Sequence, residues 1–581
     1  MRQEIPRPEH PQPQFQRDDW VNLNGLWEFE FDDHDCGIDE GWPANGRPFS
    51  HRILVPYAFE SPRSGIGDPG IRPRVWYRRS FTVPPSWSRR TLLHFGAVDY
   101  RAKVWINGRR AGEHEGGHTP FHFDITPYLK PGENTLVVRA EDPPDITIPR
   151  GKQYWEPESK GIFYSRTTGI WQPVWLESVG ESYLDRVRIL ARTDGAVSFH
   201  AVISRPRPNL EFTAVVRYRG QVVASVSSDT QSSAVSASAT IAKPRLWSPD
   251  APELYDVVFE LRLQGVLLDR VHSYFGFRSV SVNAGRVLLN GEPIFLKFVL
   301  DQGYWAESNL TPPSDEAIQY DVQMTKALGF NGVRKHQKVE DPRYLYWADR
   351  MGLLVSAEMA NAYAFDDQTV SRLSREWIAV LERDFNHPSI LIWAPINESW
   401  GVPDLSDPRQ IAHLRAMYHL THSLDGTRLV IDNDGWEHSE LTDLFAIHDY
   451  SKNGDLLYER FRDLGRPGVP VPSFAAPVCA PGCLYNGSPI YLSEFGGIAF
   501  NPEGYELPSG SWGYSGIEPT AESALARLRG LYKAIARIPN LAGVCYTQLT
   551  DVEQEINGVL LYNRKPKFAV SAIREINDLV G

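Results

Sequence analysis

DEAIQYDVQMTKALGFNGVRKHQKVEDPRYLYWADRMGLLVSAEM, residues 315–359, reads as helix, strand, helix, strand. Apolar residues recur at helical spacing in 315–329 and 341–352. NGVRKH (331–336) and LLVSAEM (353–359) are short runs of the kind that form buried parallel strands. The alternation extends both ways. PIFLKFVL (293–300) lies upstream. Downstream follow ILIWAPINE (390–398), RLVIDND (428–434), LFAIHDY (444–450), IYLSEFG (490–496) and AGVCYTQLTD (542–551), and VSRLSREWIAVLERDF (370–385) adds a further helix. Eight strand–helix units in roughly 300 residues predict a (β/α)8 TIM barrel over 281–581.

Ahead of the barrel the chain is strand-like. In residues 1–180, TLLHFGAVDY (91–100), AKVWINGRR (102–110) and NTLVVRAED (134–142) alternate apolar and polar residues. Turn pairs such as Asn107-Gly108 and Pro131-Gly132 separate them, which predicts a jelly-roll β-sandwich. Residues 181–280 continue as strands around a polar, small-residue stretch, SSDTQSSAVSASAT (227–240). PRLWSPDAPELY (244–255), with three Pro, reads as an irregular crossover. This length suits an immunoglobulin-like sandwich without the antibody Cys pair.

Composition narrows the function. A formal charge of −12 leaves no basic stripe to displace counterions from phosphates, so nucleic acid is not an expected partner. No apolar run of membrane-spanning length occurs, and MRQEIPRPEHPQPQF has no signal-peptide core, so the expectation is a cytoplasmic protein without membrane association. Of the four Cys, only Cys479 and Cys483 are close in sequence, and no further ligands accompany them. Free thiols are expected, with no metal and no cofactor. The many Trp and Tyr serve sandwich cores and, in part, sugar stacking.

Barrels of this kind place their active site at the C-terminal ends of the strands. Those ends carry Asp301, His336, Glu358, Asn397 with Glu398, Asp432 with Asp434, His448 with Tyr450, Glu494, and Tyr546 with Asp551. One such residue is a loop cap or a salt bridge; a whole rim of them points to chemistry. Glu398 and Glu494 follow strands four and seven, nearly opposite across the mouth. Two carboxylates so placed can hydrolyse a glycosidic bond, one donating a proton and the other attacking the anomeric carbon. Asn397 is an uncharged donor suited to a sugar 2-hydroxyl. The remaining substrate-binding candidates are Asp301, His336, His448 and Tyr450 from the rim, with Trp305 and Tyr546 as platforms for the sugar's apolar face.

Several stretches resemble glycoside hydrolase family 2, the β-galactosidase and β-glucuronidase family. LNGLWEFE (23–30), VWYRRSFTVP (75–84), VWINGRRAGEHEGGHTPFHFDIT (104–126) and TGIWQPVWLE (168–177) are similar to its N-terminal sugar-binding jelly roll, and RLWSPDAPELY to the end of its immunoglobulin-like domain. HPSILIWAPINESW (387–400) resembles the family's acid/base signature and YLSEFGG (491–497) its nucleophile segment. The resemblance implies a retaining exo-β-glycosidase with Glu398 as proton donor and Glu494 as nucleophile, a carbohydrate substrate, and a homo-oligomer, since members form dimers or tetramers. Intact Asn397, Glu398 and Glu494 argue against a non-catalytic carbohydrate-binding protein.

Departures from the family pattern bear on the sugar. The glucuronidase branch carries an Asn-x-Lys motif for the substrate carboxylate; here the stretch before Gly558 is Glu555-Ile556-Asn557, with Arg564 and Lys565 a few residues on. A carboxylate buried without a cation is costly, which disfavours glucuronides. Phe163 stands where members place an Asp that reaches the terminal sugar. Leu300-Asp301-Gln302-Gly303-Tyr304-Trp305 and RKHQ (334–337) also depart. A β-galactosidase-like specificity is expected, for galactopyranosides or for galactofuranosides and arabinosides. β-Glucuronidase and β-mannosidase are the alternatives on the same scaffold.

Overall fold

The computed structural model describes residues 5–87, 89–464, 470–472 and 474–581. Two antiparallel sheets of four and six strands form the first domain. Their inward residues, including Trp27, Phe29, Val75, Tyr77, Leu93 and Val138, make one core. Sheets of three and four strands form the second. Its strand Leu210–Tyr218 alternates buried and half-buried residues along its length, as one covered face requires. SSDTQSSAVSASAT is not a spacer between strands: it supplies the end of Gln221–Thr230 and all of Ala234–Thr240, which belong to opposite sheets. Small side chains suffice there because much of each strand faces solvent. The four cysteines are free. Among the described residues no helix is long and apolar enough to cross a membrane.

The third domain is the TIM barrel. Its strands are β1 (Leu296–Asp301), β2 (Gly332–Lys335), β3 (Leu354–Glu358), β4 (Ile390–Ala394), β5 (Leu429–Val430), β6 (Phe445–Asp449), β7 (Ile490–Gly496) and β8 (Leu541–Thr547). They pair in parallel in the order β5-β4-β3-β2-β1-β8-β7-β6. Side chains bridge the remaining seam between β5 and β6. Asp432, just past β5, accepts from His438 Nδ1 at 2.7 Å, and the other ring nitrogen lies 2.6 Å from the Ala446 carbonyl of β6. β5 is only two residues long because Asp432 turns out of the strand to make this link and to accept from the Ser439 N–H and hydroxyl. The helices begin at side-chain caps: Ser314 before Asp315–Ala327, Asp341 before Pro342–Met351, Asp366 before Asp367–Asp384 and Thr520 before Ala521–Ile535.

The immunoglobulin-like domain is bolted to the barrel floor. Trp247, in the Pro-rich crossover, is fully buried and donates to the Asp349 carbonyl at 2.7 Å. Arg278 donates to the carbonyls of Pro388, Ile390 and Thr427. Gly352 ends its helix at φ 72, and a side chain there would meet the Pro249 carbonyl 2.3 Å away, so the two domains approach to backbone distance. Trp247→Ala is expected to cost about 3–5 kcal/mol and to lower the thermal midpoint by several degrees. An unchanged midpoint would show that this contact does not tie the domains.

Candidate active site

Arg334 lies at the centre of the barrel mouth, and its guanidinium is fully buried. It projects from β2 and reaches four groups: the Glu358 carboxylate, the Ser493 carbonyl (3.0 Å), Glu494 Oε1 (2.9 Å) and Asn397 Oδ1 (2.6 Å). A planar fork with fixed N–H directions suits holding several acceptors in one geometry. The end of β4 and the end of β7 are thereby fixed relative to each other. Asn397 Oδ1 is occupied by Arg334, whereas its buried Nδ2 has no protein partner and remains a donor for a ligand.

His448, at the end of β6, links both glutamates. Its Nδ1 lies 2.8 Å from Glu398 Oε1; its Nε2 lies 3.1 Å from Asp434 Oδ1 and 3.5 Å from Glu494 Oε1. Burial opposes a charge on the ring, but Glu494, Asp434 and Glu398 raise its pKa to about 10, so the imidazolium persists at neutral pH. Burial likewise opposes the charge on Glu494, yet His448 and Arg334 hold its carboxyl below the usual range. The Tyr450 hydroxyl donates to Glu494 Oε2 at 2.5 Å, and burial beside Glu494 keeps that phenol protonated. Tyr450 lies parallel to Tyr514 at 3.4 Å. Glu398 sits at φ 48, in the left-handed region. Its side chain is more exposed than that of Glu494, 15% against 7%. One ligand-type atom from each of Glu398, His448 and Glu494 lies within 4.8 Å of the others, the sole such trio among the described residues. Both His448 nitrogens face carboxylate oxygens as donors, which is the arrangement of a hydrogen-bonded imidazolium.

Of the residues expected from sequence, Asn397, Glu398, Glu494, His336, His448 and Tyr450 come together here. His336 approaches Glu358 at 2.9 Å and stays neutral, because burial, with Lys152 and Arg334 adding to it, pushes its pKa well down. Asp301, Trp305 and Tyr546 do not join them. Asp301 is engaged by Lys335 at 2.5 Å on the neighbouring strand. Trp305 lies under the Arg564 guanidinium at 3.7 Å. The Tyr546 hydroxyl accepts from Ile498 N and donates to the Asn557 carbonyl, both at 3.3 Å, beneath the β7 strand end. Phe163 joins Tyr154, Trp155, Tyr363 and Trp400 in an aromatic wall shared by the jelly roll and the barrel. Tyr514 escaped the sequence reading, while Asp434, Arg334 and Glu555 appear in it only as a rim residue and as parts of departing segments, without a role in the site. For Arg334 a signal existed: a charged residue inside a buried strand, two positions before His336 and so on the same face.

The His448 charge makes stability depend on pH. A folded-state value near 10 against about 6.5 unfolded gives a stabilisation fully present below about pH 6.5 and lost as pH rises through about 10. The thermal midpoint of the protein should fall across that window, and His448→Gln should flatten this part of the profile. Equal slopes for the two proteins would remove the imidazolium from the account.

Comparison with known proteins follows the same order of domains. Residues 20–163 match the glycosyl hydrolases family 2 sugar binding domain, 186–278 the model described as glycosyl hydrolases family 2, and 280–462 the family 2 TIM barrel domain. A β-galactosidase of Thermoanaerobacter pseudethanolicus is 28% identical over 462 residues, which is 75% of this chain and 57% of the relative. A putative β-glucuronidase of Formosa agariphila is 30% identical over 357 residues, 58% of this chain and 32% of the relative. The chain thus spans about a third to somewhat over half the length of these relatives. Among solved structures, Bifidobacterium dentium β-glucuronidase complexed with coumarin-3-O-glucuronide superposes with TM-score 0.78 at 21% identity, covering 98% of each chain. A β-galacturonidase of Eisenbergiella tayi bound to glycerol gives 0.75 at 19% identity, covering 99% of each. The motifs, the three-domain order and the matched segments agree: the chain belongs to glycosyl hydrolases family 2.

Proposed function

We propose that the chain is a retaining exo-β-glycosidase that releases a terminal neutral sugar by double displacement. The preferred substrate is a β-galactopyranoside, or a furanoside of the β-galactofuranose or arabinose kind. The closeness of the two carboxylates carries this reading. One oxygen of Glu398 and one of Glu494 lie within 4.8 Å of each other. Retention uses carboxyls about 5–5.5 Å apart, whereas inversion needs roughly 6.5–9.5 Å to seat a water.

In the first step Glu494, ionised, attacks the anomeric carbon. Glu398 gives its proton to the departing oxygen as the bond to the aglycone breaks. Glu398 Oε1 accepts from His448, so Oε2 is the atom available for that proton. The unpartnered Asn397 Nδ2 donates to the sugar 2-hydroxyl, a contact that strengthens as charge develops at the ring. In the second step Glu398 takes a proton from water, whose oxygen displaces Glu494. No step requires a metal.

The β-glucuronidase reading competes on the same scaffold. Arg564 is the cation closest in sequence to the point where that branch carries its Lys. Here it stacks on Trp305 and pairs with Asp321 at 3.4 Å, which favours a neutral sugar. A panel of 4-nitrophenyl glycosides tests both readings: β-galactopyranoside, β-galactofuranoside, α-L-arabinofuranoside, β-mannoside and β-glucuronide. Turnover of a neutral member is expected, falling at least about 10⁴-fold in Glu494→Gln. In Glu398→Ala, added azide should restore turnover of substrates with good leaving groups. Glu494→Gln retaining a tenth of the activity would refute the assignment.

A further inference from the structure

Four lysines are buried among the described residues, and three have carboxylate partners. Lys335 meets Asp301 at 2.5 Å and Glu340 at 2.6 Å; Lys338 meets Glu340 at 2.9 Å; Lys567 meets Asp551 at 2.6 Å. Lys152 is the exception. It is 6% exposed, and among the described residues no carboxylate lies within ion-pair reach of its ammonium and no acceptor takes a hydrogen bond from it. Its contact is with the face of Trp400, 4.8 Å from the ring centre and two residues past Glu398. A cation–π contact recovers only part of the cost of burying an ammonium.

The chain is nevertheless built to hold Lys152 there. Arg150 N and Gly151 N both donate to the Asn361 carbonyl beyond β3 at 3.1 Å, and the Tyr363 hydroxyl donates to the Gly151 carbonyl at 2.6 Å. Gly151 adopts φ 58, and a Cβ there would lie 2.1 Å from the Gln337 carbonyl past β2, so only glycine fits. Gln153 ties the same loop to Asp99 at 2.8 Å and to Thr167 N at 2.7 Å. A jelly-roll loop is thus locked onto the barrel rim with an unpaired cation at its apex.

Glu555, at the opposite end of the chain, is the complementary group. It is 2% exposed; burial raises the pKa of its carboxyl while the charge of Lys152 opposes the rise, yet the two form no ion pair. One of its oxygens accepts from the Tyr164 hydroxyl at 2.5 Å and the other from Asn557 Nδ2 at 3.2 Å. A carboxylate has about four acceptor sites, so two remain. Tyr514 stacks on Tyr450, and burial, with Glu555, Glu494 and Glu398 adding to it, keeps its phenol protonated.

We propose that Lys152 and Glu555 form a donor–acceptor clamp on neighbouring hydroxyls of the terminal sugar and so decide which sugar is accepted. The clamp rests on the glycosidase reading above. A hydroxyl that accepts from Lys152 and a neighbour that donates to Glu555 satisfy both groups at once. A sugar carboxylate reaching Lys152 would bring a negative charge toward Glu555 and Glu494. Tyr164 links the two, its backbone N–H donating to the Lys152 carbonyl at 2.9 Å and its hydroxyl to Glu555 at 2.5 Å, so both residues border one site without pairing.

Lys152→Met, Lys152→Gln and Glu555→Gln, assayed on the preferred neutral glycoside and on its 3-, 4- and 6-deoxy forms, test the clamp. Lys152→Met should lower kcat/KM by about 10²-fold or more, with the thermal midpoint unchanged or raised. Lys152→Gln, which keeps a donor, should recover part of the loss. One deoxy substrate should be poor for the parent enzyme and suffer no further loss in Lys152→Met, because both changes remove one contact. Full activity of Lys152→Met, or losses that simply add for every deoxy form, would overturn the clamp. Preference of the parent enzyme for a β-glucuronide or β-galacturonide, abolished by Lys152→Met, would also overturn it and make Lys152 a carboxylate receptor. Silence on every neutral and uronic member would overturn the glycosidase reading itself, and the clamp with it.

Discussion

The Arg334 guanidinium is the interaction on which the rest of the site depends. It holds Glu358, Glu494 and Asn397 from three different strands at once, inside a barrel whose walls are apolar. Carboxylates at such depth need a cation with fixed donor directions, because leaving one unpaired costs several kcal/mol. His448 supplies the second positive charge and spans the proposed nucleophile and the proposed acid/base. Two cations among the four acids Glu358, Glu398, Asp434 and Glu494 keep Glu494 charged. His448 also holds the carboxyl groups of Glu398 and Glu494 close to each other.

The barrel alone does not make the pocket. The jelly roll contributes Phe163, Tyr154 and Trp155 to the aromatic wall, Tyr164 to the support of Glu555, and Lys152 through a loop that reaches the barrel rim at backbone distance. The immunoglobulin-like domain holds the other end through Trp247 and Arg278. The barrel supplies the carboxylates proposed to react, and the sandwich in front of it supplies much of the surface that would face the sugar in the proposed function. Domains with this division of labour must be positioned to within fractions of an ångström. Backbone carbonyls and a glycine therefore take part in these contacts, alongside side-chain pairs such as Arg372 with Glu115 and Asp145.

The fold was legible because its signals are local. Buried parallel strands are short apolar runs, and the helix caps are written within a few residues of each helix start, so the strand–helix alternation stands out without knowledge of contacts. Glu398 and Glu494 were legible for the same reason, as ionisable residues ending such runs. Asp301 misled: it also ends a strand, but the register of β1 against β2 sets it beside Lys335, which takes it up. Trp305 misled because the cation that covers it, Arg564, comes from far along the chain. Lys152 was illegible for the same physical reason, and Glu555 showed only as a departure from the family motif, not as a partner of Lys152. Their pairing has no local signature, and it arises only when the jelly-roll loop and the loop after β8 meet over the barrel mouth.

The stereochemical course of hydrolysis tests the central claim most directly. Proton NMR of the first-formed sugar, recorded before mutarotation, distinguishes the two geometries. Initial release of the β-anomer from a β-glycoside is the result that paired carboxylates within 4.8 Å predict. Initial release of the α-anomer would mean single displacement by water, and would contradict the assignment of Glu494 as a nucleophile.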